Sequence, residues 1–420
     1  MNKVVLAGFG VMGKYYAEKL AHHADEWGVE LAGIVDLDSR AYDLSTTDGR
    51  VRDIPLLQKI LDTTTRYDNI DAALVASKAD IVINVASSYA HIDIIRALER
   101  HPSVRAFLTE KPLVESPQDQ GEAADRLRKY FVSMNMITNF SKAAQQFQNW
   151  TELEAKPLVG IDAVWGKDRR NDKRPTPGIA SDIVHPVGLI QSIFNVSQWS
   201  MRGKAQGLYG NLSTDRDGKE LNCVFHYSAK FATDVAPIWF DCSYAWKEQQ
   251  RRITAFFRDG KRYVGYELFL DDLANNGRRG DYVRVSEIPA DFSRPTVIDI
   301  TQHTHDDKLK MYLERSFAAF GQGNKPSAAG LIGLDEEQNL GKIFGMLHPS
   351  DDRDILMKSP DIAISDADPD APHTPRHPVF PTIKDSTPEQ LRWRIERFRR
   401  KHLPVTPVAS FEEIYSDRHP

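Results

Sequence analysis

The sequence predicts an α/β protein: a doubly wound parallel sheet at the N-terminus, then an α/β domain built on a large, mostly antiparallel open sheet. Three observations predict this. The first third alternates short β-branched runs with helical patterns, which argues for a parallel sheet covered on both faces. Past residue 138 the rhythm changes to strands with two-residue alternation joined by turns. A length of 420 residues gives room for two domains and a smaller third part, each of the domains with its own core. The expected boundaries are 1–137, 138–348 and a proline-rich arm with a terminal helix at 349–420.

In order, "KVVLAG" (3–8) is the first strand, followed by the helical "VMGKYYAEKLAHHADEW". "VELAGIVDLD" (29–38), "DIVINVAS" (80–87), "VRAFLTE" (104–110) and "FVSMNMI" (131–137) are the next four, with helical "HIDIIRALERH" and "SPQDQGEAADRLRKY" between them. Ser116-Pro117 reads as a helix start, an N-cap and then proline at the first helical position. The helix "NFSKAAQQFQNWTELEA" leads into "LVGIDAVWGK", "ELNCVFHYSAKF", "PIWFDCSYAW", "RRITAFFRDGKRYVGYELF" and "DYVRVSEI", all strand patterns. Asp259-Gly260 marks a tight hairpin. "HDDKLKMYLERSFAAFG" and "LDEEQNLGKIFGML" are later helices, and the stretch from Pro349 to Asp385 has no periodicity. Ser386 and Glu389 fit a capping box for a terminal amphipathic helix with Leu391, Ile395 and Phe398 inward.

Composition narrows the function. A net charge of −5 argues against nucleic acid as the main partner. Only Cys223 and Cys242 are present, so neither a disulfide framework nor a Cys-rich metal site is expected, and no metal is. No apolar run reaches the roughly 18 residues of a membrane span. The N-terminus lacks the apolar core of a signal peptide. A cytoplasmic setting, no membrane partner and a homodimer or homotetramer are the expectations.

Gly8-Phe9-Gly10-Val11-Met12-Gly13 has the G-x-G-x-x-G spacing between a strand and a helix. Gly8 allows the tight turn, Gly10 lets a pyrophosphate approach the backbone, and Gly13 lets helix pack on strand. The loop amides, with Val11 and Met12 opening the helix, attract phosphate. Asp36 closes the second strand, about 26 residues beyond Gly10. A carboxylate there accepts from a ribose diol and repels a 2′-phosphate, which favours NAD over NADP. Arg40 lies close enough to moderate that preference. Ser87 closes the third strand and His91 comes just after it; Ser87 is a further candidate to contact the cofactor. In "FLTEKPLVESP" an apolar run ends abruptly in Glu110-Lys111-Pro112. Lys111 thus falls at the carboxyl end of a parallel strand, where open α/β sheets bind ligands. Near an oxidised nicotinamide its ammonium would meet a like charge, which suits it to proton transfer.

With "VVLAGFGVMG", "IVINVASSYAHIDIIRALE" and "EKPLVES" in this order, the chain resembles the Gfo/Idh/MocA oxidoreductases over roughly residues 1 to 345. The resemblance implies a Rossmann domain followed by an α/β domain with a large open sheet. It implies that Lys111 lies beside the nicotinamide and the reacting hydroxyl, with Glu110 adjoining, and that the bond before Pro112 is often cis. It places His91 near the cofactor; the plainer alternative is a helix N-terminal histidine satisfying a loop carbonyl. In "PGIASDIVHPVGLI" it implies that Asp182 and His185 reach back to the lysine. On one helical turn the two share a face, although Pro186 leaves the helix start uncertain.

Two positions depart from the family pattern: Gly188 where many relatives carry aspartate, and Thr138-Asn139 where many carry arginine. Both put the usual sugar contacts in doubt. "WGKDRRNDKRPTPG" concentrates basic residues ahead of Asp182, and Arg169 and Arg170 are candidates to bind an anionic substrate group. A solvated loop is the plainer reading of that cluster.

The function expected is an NAD(H)-dependent oxidoreductase acting on a small polyol, sugar, cyclitol or amino-sugar-like substrate. Lys111, His185 and Asp182 are the expected catalytic residues. An NAD-retaining lyase or glycosidase and a non-catalytic ligand sensor are the alternatives.

Overall fold

The structure is a computed structural model. It describes residues 1–47, 49–114, 117–168, 180–201, 206–214, 220–243, 245–273, 279–303, 307–336, 356–358 and 382–398. The chain forms two compact units. The first comprises Met1–Phe140 and the described part of 307–342; the second comprises the other described residues.

The chain begins β1 (Asn2–Ala7), α1 (Val11–Trp27), β2 (Val29–Val35), α2 (Ile54–Thr63), β3 (Arg66–Tyr67) and α3 (Ile70–Ser77). It continues β4 (Ile81–Asn84), α4 (His91–Leu98), β5 (Ala106–Thr109), α5 (Pro117–Leu127) and β6 (Phe131–Met134). Next come α6 (Lys142–Leu153), β7 (Leu158–Asp168), α7 (Ala180–Phe194), β8 (Trp199–Met201), β9 (Gln206–Thr214) and β10 (Glu220–Thr233). Then follow β11 (Ile238–Ser243), β12 (Ala245–Asp259), β13 (Arg262–Leu273), β14 (Arg279–Ile288), β15 (Thr296–His303), α8 (Lys308–Gly321), β16 (Leu356–Lys358) and α9 (Pro388–Glu396).

The first unit holds a six-stranded, all-parallel sheet in the order β3-β2-β1-β4-β5-β6. Its strands are short and apolar because both faces are covered. Val4, Leu6, Ile81, Ile83 and Leu108 face α1 and α8, which contribute Tyr16, Leu20, Leu309, Tyr312, Leu313 and Phe317. Val5, Val82, Phe107 and Val132 face Leu74, Ile95, Leu98, Ala123 and Leu127 of α3, α4 and α5. Strand β3, only two residues long, was not among the five strands read from the sequence. Helix α8 was read within 138–348, yet it belongs to the first unit, since its apolar face completes one side of the parallel sheet.

The second unit is built on a ten-stranded sheet in the order β15-β14-β13-β12-β7-β11-β10-β9-β16, with β8 on β10. It is antiparallel except for β7–β11 and β9–β16. The expected hairpin forms, with Asp259 opposite Arg262 across Gly260-Lys261.

Helix α9 packs on the central strands. Leu391, Ile395 and Phe398 are buried against Trp239, Phe256 and Ile288, as their spacing foretold. Its capping box lies one residue later than Ser386 and Glu389: Thr387 caps the Gln390 amide, and the Gln390 side chain returns to the Thr387 amide. Ser386 is instead drawn back onto the Thr382 carbonyl at 2.7 Å. Two arginines of this helical end are buried rather than solvated. Arg394 bonds the Asp162 carboxylate at 3.0 Å, and Arg397 bonds the same carboxylate. Lys230 reaches the Arg397 and Phe398 carbonyls at 3.1 and 3.0 Å, closing the helix C-terminus. Ser116, Arg169, Arg170 and most of the 349–420 arm lie outside the described residues.

Candidate functional site

Site chemistry in the first unit starts at the glycine loop. Gly8 sits at φ +98°, and a Cβ there would come within 2.7 Å of the Val85 carbonyl. A Cβ on Gly13 would overlap the Gly8 carbonyl oxygen. Both glycines are thus required by the chain's own packing. Gly10 is different: a Cβ there would meet nothing within 4 Å. Space is kept open outside Gly10, where α1 begins with no side-chain cap on its first amides. Uncapped amides beside open space form an anion cradle. Val11 is exposed and Met12 half-buried at this helix start.

At the end of β2, Asp36 Oδ2 accepts from the Phe9 amide at 2.6 Å and Oδ1 from the Asp38 amide at 2.9 Å. The carboxylate therefore braces the glycine loop while its half-exposed oxygens keep further lone pairs for hydroxyl donors. Arg40 is committed to Asp38, bonding its carboxylate through Nε at 3.1 Å and Nη2 at 2.9 Å. Lys14, buried under the loop, donates to the Asp43 carbonyl at 2.6 Å. Burial pushes its pKa down, opposed by the charges of Asp43 and Asp36.

The Glu110-Lys111-Pro112 turn follows β5, and the Lys111-Pro112 bond is cis. Glu110 Oε1 accepts from the Tyr16 hydroxyl and from Asn135 Nδ2, both at 2.8 Å. Asn135 Nδ2 also donates to the Tyr16 hydroxyl at 2.7 Å. The residue before Lys111 is thereby tied to α1 and to the end of β6. Burial and the Glu110 charge push the Tyr16 pKa well up, so the phenol stays protonated as a donor. Neither Tyr16 nor Asn135 was singled out in the sequence; a tyrosine in an amphipathic helix and an asparagine after a strand carry no local signal for this triangle.

His91, at the start of α4, is 1% exposed. Nδ1 lies 3.0 Å from the Pro112 carbonyl and 3.1 Å from that of Leu113, and Nε2 lies 3.1 Å from the Ala86 carbonyl. The ring fastens the loop after β4 to the turn after Lys111, which is the plainer of its two readings. Burial lowers its pKa, against the pull of those carbonyls. Ser87 is exposed at the end of β4, and its carbonyl accepts from the Ala90 amide at 2.8 Å.

Asp182 and His185 belong to the second unit. Helix α7 runs through Pro186, so the proline does not delay its start, and the two residues share one turn. Asp182 is fully buried and His185 partly so. The His185 ring stacks on Trp165 of β7 at 6.0 Å and 21°. Trp165 pairs in register with Cys242 of β11. Burial, Asp241 and Asp182 together push the Cys242 thiol well up, so it is an unreactive neighbour of the aspartate. Trp165 opens the basic segment of the sequence and carries no local signal for this role; the tertiary ring contact alone places it against His185.

The first unit has the Rossmann fold. Residues 2–136 match the family model of the Gfo/Idh/MocA proteins, described as "Oxidoreductase family, NAD-binding Rossmann fold". Among solved structures, UDP-N-acetylglucosamine 3-dehydrogenase GnnA from Acidithiobacillus ferrooxidans is similar, with a TM-score of 0.55 and 17% identity over 81% of this chain and 96% of that one. KijD10, a 3-ketoreductase from Actinomadura kijaniata in complex with NADP and TDP-benzene, gives 0.58 and 13% over 85% and 98%. Gal80p, a transcriptional regulator from Kluyveromyces lactis, gives 0.59 and 12% over 82% and 88%. At these identities the likeness is one of fold. No curated protein sequence matches the chain. Among the described residues no helix is long and apolar enough to cross a membrane, and no group of His, Cys, Asp and Glu is placed to hold a metal.

Proposed function

We propose that this chain is an NAD(H)-dependent oxidoreductase that transfers hydride between nicotinamide and a CH–OH carbon of a sugar, cyclitol or amino-sugar-like substrate. The observation that carries the cofactor half is Gly10: its side-chain space is open, beside uncapped helix amides, with two flanking glycines enforced by packing. The substrate class rests on the resemblance, on the family match and on similar structures that include a UDP-N-acetylglucosamine dehydrogenase and a 3-ketoreductase. KijD10 was solved with NADP. Here Asp36 and Asp38 put two carboxylates at the end of β2, and Asp38 already occupies Arg40, so a 2′-phosphate would find repulsion and a committed cation. These carboxylates support NAD(H) as the proposed cofactor.

Bound at this loop, the nicotinamide would supply the hydride acceptor or donor. In this reading Lys111 holds the reacting oxygen and stabilises the charge developing on it. Glu110, fixed by Tyr16 and Asn135, sets the turn that presents Lys111. His185 takes the proton from the hydroxyl, and Asp182 orients it. Trp165 supports the imidazole ring from one face. An anionic substrate group facing Arg169 or Arg170 stays part of the proposal on the sequence alone.

The test pairs cofactor titration with turnover. Substrates are screened by NADH absorbance, and calorimetry compares NAD with NADP. Lys111→Met and His185→Ala should each lower kcat by at least about 100-fold while NAD affinity stays nearly intact. Near-wild-type turnover in Lys111→Met removes the lysine from the mechanism, and tighter NADP than NAD binding overturns the role given to Asp36.

A further inference from the structure

The carboxyl end of β6 holds buried polar atoms that the chain leaves unbonded. Asn135 is 1% exposed, and its Oδ1 has no hydrogen-bond partner. Within the next 3₁₀ turn, Thr138 Oγ1 and both polar atoms of the Asn139 amide are buried and unbonded as well. These are the residues that stand where the family pattern has arginine. A buried acceptor or donor left unmade costs about 1–3 kcal/mol, so such a group at a strand end calls for an outside partner.

The orientation of the Asn135 amide is fixed by its neighbours. A carboxylate only accepts, so both groups that meet Glu110 Oε1 must be donors. The single Tyr16 proton is used on Glu110, and its oxygen then accepts from Asn135 Nδ2. A flipped amide would set oxygen against oxygen. Oδ1 is therefore the end left over, and it demands an N–H or O–H donor. The doubly wound sheet narrows the source. Gly8–Gly13 and Asp36 take the pyrophosphate and adenosine ribose over β1 and β2, which leaves the carboxyl ends of β4, β5 and β6 to the other nucleotide.

We infer that Asn135 is a cofactor-positioning residue whose Oδ1 accepts a hydrogen bond from the carboxamide N–H of the nicotinamide ring. The inference rests on the NAD(H) reading above. The same triangle that holds Glu110, and hence presents Lys111, thereby sets the ring against the lysine-bearing turn.

Calorimetry on the full chain tests this with three ligands: NAD, 3-acetylpyridine adenine dinucleotide, whose acetyl group lacks the N–H donor, and ADP-ribose, which lacks the ring. Wild type should bind NAD about 10-fold more tightly than the acetylpyridine analogue, one hydrogen bond's worth. Asn135→Ala should lose most of that preference, and its ADP-ribose affinity should stay within about 2-fold. A merely structural role for Asn135 would weaken NAD and its analogue alike. Should Asn135→Ala not fold, the wild-type preference decides alone, and equal affinities for NAD and the analogue overturn the inference. An unchanged preference in a folded Asn135→Ala overturns it too, and a rise in substrate KM in that variant would give Oδ1 to a substrate hydroxyl. If wild type binds no ADP-ribose, the NAD(H) reading itself fails and takes this inference with it.

Discussion

Tyr16→Phe removes one hydroxyl from the triangle behind Lys111 and changes almost nothing else. The ring stays, so no cavity opens beside Leu20 and Phe140 in the core. What is lost is a 2.8 Å hydrogen bond to Glu110, with the Asn135 amide left a single acceptor. A hydrogen bond to a charged group is worth about 1.5–3 kcal/mol, so a destabilisation of about 2 kcal/mol is expected. For a unit of this size, that corresponds to a fall of about 4–8 °C in the first unit's Tm. Differential scanning calorimetry reads it directly. Because burial and Glu110 hold the Tyr16 proton in place well above neutrality, the loss should be the same from pH 6 to pH 9. On substrate, kcat should fall as the turn bearing Lys111 loosens, with ADP-ribose affinity unchanged. A loss below about 0.5 kcal/mol, typical of a plain surface substitution, would show that Glu110 is held by something other than Tyr16.

Two further outcomes follow from buried charge. Asp162→Ala removes the carboxylate that Arg394 and Arg397 share inside the second unit, leaving Arg397 the Asp241 carboxylate at 3.8 Å, and should cost about 3–5 kcal/mol in denaturant titration; adding Arg397→Met should recover part of this, and a cost under about 1 kcal/mol would mean that Asp241 and the arginines' other neighbours compensate. For His91, burial sets the folded pKa below the unfolded value of about 6.5. The unfolded chain then takes up a proton that the native ring refuses, so stability present above pH 6.5 is lost as pH falls below it. The drop in Tm between pH 7.5 and 5.5 should therefore be smaller in His91→Gln, and an equal drop would assign the acid sensitivity to other groups.

How much the sequence disclosed depended on the range over which each feature is decided. The parallel strands were legible because each is apolar on both faces, and the glycine loop because its spacing reports local packing. Strand β3 was not, since two residues carry no period. Strand β15 was missed because it is an edge strand with an irregular burial pattern. The buried state of Arg394 and Arg397 depends on Asp162, more than 230 residues earlier, so their sequence neighbourhood reads only as a charged helix end. Lys111 was legible from its strand end, whereas the support beneath it joins residues 16, 110 and 135 through tertiary contact alone. Thr138 and Asn139 were read as departures from a pattern; their unbonded, buried side chains turn that departure into a question about the ligand.

Helix α8 covers one face of the parallel sheet, yet it is made only after the whole run of strands from β7 to β15. During synthesis, α1 can cover part of that face early, but Val4, Leu6, Ile81 and Ile83 must wait for Leu309, Tyr312 and Phe317 to leave the ribosome before the face is fully shielded. The second unit waits longer still, because Asp162 and Trp239 are closed over only by residues near 395. Both units are therefore finished late in translation, however early their strands appear. A polypeptide released at residue 140 would have α1 on that sheet face but would leave wet the part that α8 covers, so the nascent N-terminal segment is a natural client for chaperones that hold chains before they fold.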